Sequence, residues 1–170
     1  KIFNLGCGPA QEIQNFLLQD ELSDMAEFTL LDFNEETIQY TKKTLNNIKM
    51  TERRKTIFSM NQHSVQQILK GVARVDPIFA SHTYDFVYCA GLFDYLSDKF
   101  CQKLMNIFYD LLAPGGLLVV TNVNSSNPAK NSMRYILEWH LVYRNSKQLI
   151  DLKPKKVSLE NTNITLDSTG

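Results

Sequence analysis

Short apolar runs alternate with segments of helical periodicity along this chain. Each run ends beside a glycine, an aspartate or an asparagine, which is typical of buried strands bounded by turns. The predicted strands are, in chain order, Ile2 to Leu5, Phe28 to Leu31, Thr56 to Met60, Tyr84 to Ala90 and Leu117 to Val123. Strands separated by helices favour parallel pairing, with helices on both faces of the sheet. We therefore predict a doubly wound, mostly parallel α/β fold, with residues 1–170 forming a single domain.

The segments between the predicted strands carry apolar residues three or four positions apart. Predicted helices cover Pro9 to Gln19, a stretch beginning after Asn34, Val65 to Leu69, Ser97 to Leu112 and Ser132 to Tyr143. Asn34 is a suitable N-cap, and Glu35 and Glu36 in the following turn suit the positive end of the helix dipole. The pattern over Val157 to Thr165 is β-like and predicts a further strand.

Composition excludes several classes of protein. Eighteen basic residues balance eighteen acidic ones, so no net field attracts nucleic acid. The three cysteines lack the spacing of zinc ligands, so we expect no metal site and a reducing, cytoplasmic compartment. No apolar run approaches the ~20 residues needed to span a bilayer, so we expect no integral membrane contact. Because Lys1 stands at the edge of a predicted strand, we expect a fragment of a longer chain, truncated at both ends.

Two glycines follow the first predicted strand at once. Gly6 and Gly8 permit a tight turn and let a ligand approach the backbone without a Cβ in the way. A strand-to-helix turn without any ligand uses the same glycines, so they are weak evidence alone. Asp32 strengthens the case, because a carboxylate at the end of the second strand can accept both hydroxyls of a ribose.

Two kinds of nucleoside cofactor use this arrangement. The dinucleotide fingerprint requires a third glycine where this chain has Gln11. Pyrophosphate also needs the backbone donors of an open helix N-terminus, and Pro9 removes one of them. A sulfonium cofactor carries no phosphate and loses nothing to a closed turn. The loop therefore favours S-adenosylmethionine over a nicotinamide cofactor.

Several motifs together resemble the class I S-adenosylmethionine-dependent methyltransferases, which have a Rossmann-like fold. They are the run Ile2 to Ala10, Asp32, the strand Tyr84 to Val87 and the segment Leu112 to Gly116 with its Pro-Gly-Gly. Two departures stand out, because the family usually has an acidic residue at the position of Asn4 and often a third glycine at that of Ala10.

The resemblance also implies which residues contact the cofactor. Gly6, Cys7 and Gly8 would pass under the methionine part of the cofactor. Asp32 would hold the ribose, and Phe33 would pack on the adenine, with Ser64 and Val65 at the edge of that ring. Cys89, Ala90 and Gly91 would lie beside the sulfonium.

A narrower resemblance concerns three segments, Leu31 to Thr37, Tyr88 to Leu96 and Glu138 to Arg144. They are similar to bacterial enzymes of 3-hydroxypalmitic acid methyl ester biosynthesis. That resemblance implies a small-molecule acceptor, the carboxyl group of a hydroxy fatty acid. The fold itself does not specify an acceptor.

The chemistry of the acceptor decides which residues are needed. A carboxylate is already ionised at neutral pH, whereas an amine or hydroxyl must first lose a proton to a general base. We select His140 and Tyr95 as candidate catalytic residues, and Asn122, Trp139 and Tyr143 as candidate substrate contacts. The alternative interpretation of His140 is a histidine packed on a helix that covers the sheet, and the apolar residues of that predicted helix favour it slightly.

Three functional hypotheses remain open from the sequence. The first is a methyltransferase acting on a hydroxy fatty acid, and the second is one acting on an amine or hydroxyl of another small molecule. The third is a catalytically silent domain that keeps the fold, which the departures at Asn4 and Ala10 favour.

Overall fold

The computed structural model describes residues 1–72 and 75–167. The chain forms two compact units. The first comprises Lys1–Cys89 and Leu111–Val119, and the second comprises Ala90–Asp110 and the described residues from Val120 onward. The prediction of a single domain stays a prediction, and the two units are described in turn.

A five-stranded sheet with the order β3-β2-β1-β4-β5 organises the first unit. Its strands are β1 Ile2–Leu5, β2 Glu27–Asp32, β3 Ile57–Gln62, β4 Tyr84–Cys89 and β5 Leu112–Val120. β1 pairs in parallel with both β2 and β4, and β2 pairs in parallel with β3. The order reverses between β1 and β4, which is the switch point where such sheets bind ligands at the carboxyl ends of their strands. The predicted Rossmann-like α/β fold is confirmed.

The first five helices follow the predicted order, and the sixth was not predicted. They are α1 Gln11–Gln19, α2 Glu35–Thr51, α3 Val65–Gln67, α4 Asp98–Leu111, α5 Lys130–Tyr135 and α6 Ser146–Ile150. Asn34 caps α2 as predicted, since its side chain accepts a hydrogen bond of 3.1 Å from the backbone nitrogen of Thr37. The cap matters because the first turn of a helix leaves backbone donors without intrahelical partners.

Helices α1 and α2 bury their apolar faces in the core of the first unit. Ile13 and Leu17 of α1 and Ile38 and Leu45 of α2 belong to one buried cluster with residues of β2. Burying a side chain of this size contributes about 1.5–3 kcal/mol. This packing fixes the start of α1, and with it the loop that precedes it.

The predicted helix over Ser132 to Tyr143 is wrong, because α5 ends at Tyr135. Glu138 adopts a positive φ of 50°, a conformation that no α-helix contains. The Trp139 backbone nitrogen bonds back to the Met133 carbonyl at 2.9 Å, which closes the segment into a tight turn. His140 therefore does not lie on a covering helix.

The predicted strand over Val157 to Thr165 is also wrong. This segment contains a 3-10 helix at Leu159–Asn161. A strand must satisfy its backbone groups on a neighbour, and none of the five strands of the sheet pairs with this segment. The fifth strand itself begins at Leu112, five residues before the predicted start.

Candidate functional site

The loop after β1 is tied to the end of β2. The backbone nitrogens of Gly6 and Cys7 donate to the Leu31 carbonyl over 2.8 and 3.0 Å. Gly6 and Gly8 have φ angles of 76° and 51°, a region that favours glycine. A Cβ built at Gly8 meets no atom within 4 Å. The loop thus presents uncovered backbone at the carboxyl edge of the sheet.

Asp32 holds this loop through its carboxylate. One oxygen accepts a hydrogen bond of 3.0 Å from the Gly8 backbone nitrogen, and the other accepts one of 2.9 Å from that of Asn34. Only 6% of the residue is exposed. Each carboxylate oxygen has about two lone pairs, so both retain capacity to accept a hydroxyl proton.

Two further contacts fix the loop, and the sequence analysis missed both. The hydroxyl of Thr41 donates to the Gly8 carbonyl over 2.8 Å, although the two residues lie 33 positions apart. The side-chain amide of Gln14 donates to the Pro9 carbonyl over 2.7 Å. Thr41 is a fully buried polar residue on α2, and a threonine among the apolar positions of that helix is the signal that could have identified it.

Ala10 occupies the position where the resembled family often has a glycine. It is the N-cap of α1 and adopts the left-handed conformation, with φ 51° and ψ 49°. For residues with a Cβ this region costs about 1–2 kcal/mol. Ala10 therefore keeps the left-handed backbone conformation that a glycine at this position would adopt at lower cost.

The residues beside Asp32 form an exposed rim. The ring of Phe33 is 68% exposed, and its carbonyl accepts a hydrogen bond of 3.1 Å from the side chain of Gln62. Ser64 caps α3 through a capping box with Gln67, and Val65 begins that helix. These groups suit a nucleoside cofactor. The exposed ring of Phe33 can stack on a base, and the free lone pairs of Asp32 can accept ribose hydroxyls. The glycine backbone leaves room for the group attached to the ribose.

The loop lies in a negative field. Burial, followed by the charges of Asp32 and Glu12, raises the pKa of the Cys7 thiol to about 12. Cys7 is therefore a neutral, buried thiol at neutral pH. Two carboxylates acting on this loop favour a ligand that carries positive charge.

The remaining predicted cofactor residues follow one another along the chain. Cys89 ends β4 and is 1% exposed. Ala90 and Gly91 belong to the second unit. Gly91 has a φ of 79°, and its backbone nitrogen donates to the Thr121 hydroxyl over 2.9 Å.

The amide of Asn122, a predicted substrate contact, is hydrogen-bonded within the second unit. Its nitrogen donates to the Asp94 carboxylate over 2.7 Å and to the Val142 carbonyl over 2.9 Å. The same Asp94 oxygen accepts the Val123 backbone nitrogen at 2.7 Å. Burial raises the pKa of the Asp94 carboxyl, against the Val123 hydrogen bond and the charge of Arg144, which lower it.

Arg144 completes this network and was not predicted as a functional residue. It is 3% exposed. Its guanidinium donates to the Asp98 carboxylate through two nitrogens and to the Asn122 side chain. It also donates to the carbonyls of Phe93 and Leu96. A guanidinium has five N–H donors, and these five bonds use all of them.

The structure brings two of the predicted acceptor residues together. The indole nitrogen of Trp139 donates to the Tyr95 hydroxyl over 2.7 Å, and both rings are exposed. The Tyr143 ring lies under the Lys130 ammonium at 4.8 Å. Within the described part of the chain, the Tyr143 hydroxyl has no hydrogen-bond partner. His140 is exposed.

Residues 1–72 and 75–167 contain no group of three or more side chains placed to hold a metal ion. None of the helices in that part of the chain is both long and apolar enough to cross a membrane.

The comparison with family models decides the family. Residues 1–165 match the model described as a methyltransferase domain. The chain belongs to this family. The glycine loop and Asp32 thus lie in a methyltransferase domain, at the edge of the sheet where the order of the strands reverses.

Individual relatives are distant. The uncharacterized protein RP028 of Rickettsia prowazekii (strain Madrid E) is 22% identical over 170 residues, which are 99% of this chain and 61% of that protein. The chain therefore spans less than two thirds of the length of this curated relative.

Three solved structures share the fold. A SAM-dependent methyltransferase from Archaeoglobus fulgidus has a TM-score of 0.62 and 14% identity, covering 89% of this chain and 57% of that one. PKMT2 from Rickettsia typhi, in complex with S-adenosylhomocysteine, has a TM-score of 0.58 and 18% identity, covering 89% and 27%. The magnesium protoporphyrin IX methyltransferase of Synechocystis PCC 6803, with bound S-adenosylhomocysteine, has a TM-score of 0.57 and 9% identity, covering 89% and 60%.

Proposed function

We propose that this domain binds S-adenosylmethionine and belongs to an enzyme that transfers the cofactor's methyl group to a small molecule. The observation that carries the proposal is the glycine loop locked to Asp32, beside the exposed ring of Phe33. Membership of the methyltransferase-domain family supports it. When bound, the cofactor supplies an electrophilic methyl group on a sulfonium.

The residues of the first unit have separate roles in this proposal. Asp32 accepts the ribose hydroxyls with its spare lone pairs, Phe33 packs on the adenine, and Ser64 and Val65 border its edge. Gly6, Cys7 and Gly8 offer backbone without a bulky side chain above it. Cys89, which ends β4, is proposed to lie beside the sulfonium.

For the acceptor, we propose the carboxyl group of a hydroxy fatty acid. The second unit exposes a run of large apolar side chains, Tyr135, Ile136, Leu137, Trp139 and Val142. An acyl chain needs such a surface, and the nearby cations Lys130 and Arg134 suit a carboxylate. Trp139, Tyr143 and Tyr95 are proposed to contact the acceptor, and Asn122 to position the segment around Val142 rather than to touch it.

The alternative acceptor is an amine or a hydroxyl, and the exposure of His140 favours it as a second candidate. Among the described residues, no partner holds the ring in one orientation or occupies its nitrogens. A carboxylate acceptor has no need of it, because the reacting oxygen is already ionised. Good positioning of the reactants alone can supply about 7–11 kcal/mol.

Turnover of a hydroxy fatty acid with S-adenosylmethionine tests the proposal, with the methyl ester detected by mass spectrometry. His140→Ala separates the two acceptors, because removing a general base costs about 10²–10⁴-fold in rate. We expect this variant to keep most of the wild-type rate on the fatty acid. His82→Asn is the matched control for loss of a histidine, since asparagine tolerates the positive φ at that position.

A binding measurement tests the acceptor surface without turnover. Trp139 is the single tryptophan of the chain, so fluorescence excited at the long-wavelength edge of tryptophan absorption, where tyrosine does not absorb, reports on this residue alone. We expect a hydroxy fatty acid to shift its emission, and Tyr95→Phe, which removes the acceptor of its indole hydrogen bond, to change the baseline. Unchanged emission at saturating fatty acid, together with no ester formed, contradicts the proposed acceptor.

We also propose that the domain works in a reducing, cytoplasmic compartment. All three cysteines are free and buried, which agrees with a protein that does not use disulfides for stability.

A further inference from the structure

A polar cluster of three residues lies beside the glycine loop and was not among the predicted site residues. Asn4 of β1 and Tyr88 of β4 are register partners in the parallel sheet, so their side chains lie side by side on one face. Glu12, in the first turn of α1, accepts hydrogen bonds from the Tyr88 hydroxyl at 2.7 Å and from the Asn4 amide at 3.4 Å.

The Glu12 carboxylate carries an uncompensated charge. Its two hydrogen-bond donors are neutral, and within the described part of the chain no cationic group forms an ion pair with it. The residue is exposed, so a ligand can reach the carboxylate. Burial and the hydrogen bond to Glu12 raise the pKa of the Tyr88 hydroxyl, which therefore stays a donor.

Asn4 supplies an independent observation. It is only 2% exposed, yet among the described residues its side-chain oxygen has no hydrogen-bond donor. Leaving a buried acceptor unsatisfied is unfavourable, because the group has lost its hydrogen bonds to water. A ligand donor would remove this cost. A neutral acceptor and a carboxylate on adjoining side chains together suit a group that carries both positive charge and several N–H donors.

The position of the cluster identifies the ligand group. Glu12 lies four residues after Gly8, and its charge already acts on Cys7 within the loop. In the proposed function, the loop passes under the methionine part of the cofactor, which carries a primary ammonium with three donors. Asn4 is neutral, so the negative charge of this region comes from Asp32 at the end of β2 and from Glu12 on α1.

We propose that Glu12 and Asn4 form the subsite for the cofactor's ammonium group, and that Tyr88 positions the Glu12 carboxylate. This inference rests on the proposed function. Glu12 binds through its charge, and the Asn4 oxygen accepts one of the ammonium protons. Tyr88 does not touch the ligand and acts by restricting Glu12 to one orientation.

The test compares two ligands that differ only in this group. S-adenosylhomocysteine and its deaminated analogue are titrated calorimetrically into the wild-type chain, Glu12→Gln and the control Glu21→Gln. Glu21 is an exposed acid just beyond the end of α1, so its replacement changes net charge equally. Circular dichroism establishes that each variant is folded.

Hydrogen bonds to charged groups contribute about 1.5–3 kcal/mol, which corresponds to a change in Kd of tenfold or more. We expect Glu12→Gln to weaken S-adenosylhomocysteine by at least about tenfold and to leave the deaminated analogue unchanged. Tyr88→Phe should weaken only S-adenosylhomocysteine, and by less. Glu21→Gln should affect neither ligand.

Two other results are distinguishable. If the folded wild type binds neither ligand, the proposed function fails and the ammonium subsite fails with it. If the wild type binds S-adenosylhomocysteine and Glu12→Gln binds both ligands as the wild type does, or loses both equally, the subsite is wrong and the cofactor assignment stands.

Discussion

The Gly8 backbone nitrogen donates a 3.0 Å hydrogen bond to the carboxylate of Asp32. The residue proposed to hold the ribose therefore also sets the shape of the loop beneath the methionine part. Loop geometry and ribose recognition depend on one side chain. A substitution of Asp32 consequently affects both, and a test of its role needs a second variant that loosens the loop alone.

A substitution at Gly8 separates two effects, the backbone strain of an added Cβ and the blocking of the cofactor by that Cβ. Gly8→Ala places a Cβ in the left-handed region, which costs about 1–2 kcal/mol of stability, but the Cβ meets no atom within 4 Å. We expect a folded variant that has lost cofactor affinity, because the methyl group fills the open space above the loop.

Gly115→Ala is the matched control, with a φ of 80° and equally open space around the added Cβ. It should lose similar stability in urea denaturation while binding S-adenosylhomocysteine as the wild type does. Equal affinity of the Gly8 and Gly115 variants would show that the space above Gly8 is not used by the ligand.

Arg144 is predicted to matter far more for stability than a surface arginine. Arg144→Lys replaces five directed donors by three and leaves buried acceptors unpaired, for an expected loss of about 1–3 kcal/mol in the free energy of unfolding. Arg134→Lys, which changes an exposed arginine lying over the Tyr135 ring, should stay within about 0.5 kcal/mol. Denaturant titration of both variants measures the difference, and similar values would contradict the role given to the Arg144 network.

The sequence alone predicts structural features well when the residues involved are close together in the chain, and poorly when they are far apart. The alternation of strands and helices along the chain, the glycine loop and the Asn34 cap rest on residues close together in the chain, and all three were predictable. The hydrogen bond from Thr41 to Gly8 joins residues 33 positions apart. It depends on how α2 packs, which no local pattern encodes.

The second unit shows the same limit more sharply. The helical periodicity over Ser132 to Tyr143 predicted one helix, but the turn at Glu138 ends it early. The backbone nitrogen of Val142 then donates to the Asp94 carbonyl over 2.7 Å. Pairings between distant segments outweigh the local propensity of this stretch, and the Arg144 network could not be read from the sequence for the same reason.

Cys7 should make stability fall at high pH. Its pKa rises from the ordinary 9.0 to about 12 in the folded chain, so the unfolded state loses its proton first. The stabilisation is complete below pH 9 and is lost as the pH rises from 9 towards 12. Cys7→Ala removes this contribution, so its free energy of unfolding should decline less steeply over that range.

Thiol alkylation checks the same property directly. At pH 8 the folded chain should react slowly at Cys7, because only the thiolate is nucleophilic, and rapidly once unfolded in urea. Prompt modification of Cys7 in the folded protein would contradict the raised pKa.

Moving the carboxylate from Glu12 on α1 to position 4 on β1 gives a second test of the ammonium subsite. Asn4→Asp places a second carboxylate against Glu12, and like charges at this distance raise each other's pKa and destabilise the pair. We expect Asn4→Asp to be less stable than the wild type at pH 8. Adding Glu12→Gln should relieve the repulsion and recover the affinity for S-adenosylhomocysteine that Glu12→Gln alone loses. If the double variant binds no better than Glu12→Gln, a carboxylate on β1 does not substitute for the one on α1.

Calorimetric titration of S-adenosylhomocysteine into the wild type, Asp32→Ala and Thr41→Val tests the central claim most directly. Thr41→Val removes the hydroxyl that fixes the Gly8 carbonyl but leaves the Asp32 carboxylate in place, so it reports the effect of the loop alone. The account predicts binding by the wild type, a small loss in Thr41→Val and no measurable binding in Asp32→Ala. A folded wild type that binds no S-adenosylhomocysteine, or an Asp32→Ala variant that binds it undiminished, would contradict the account.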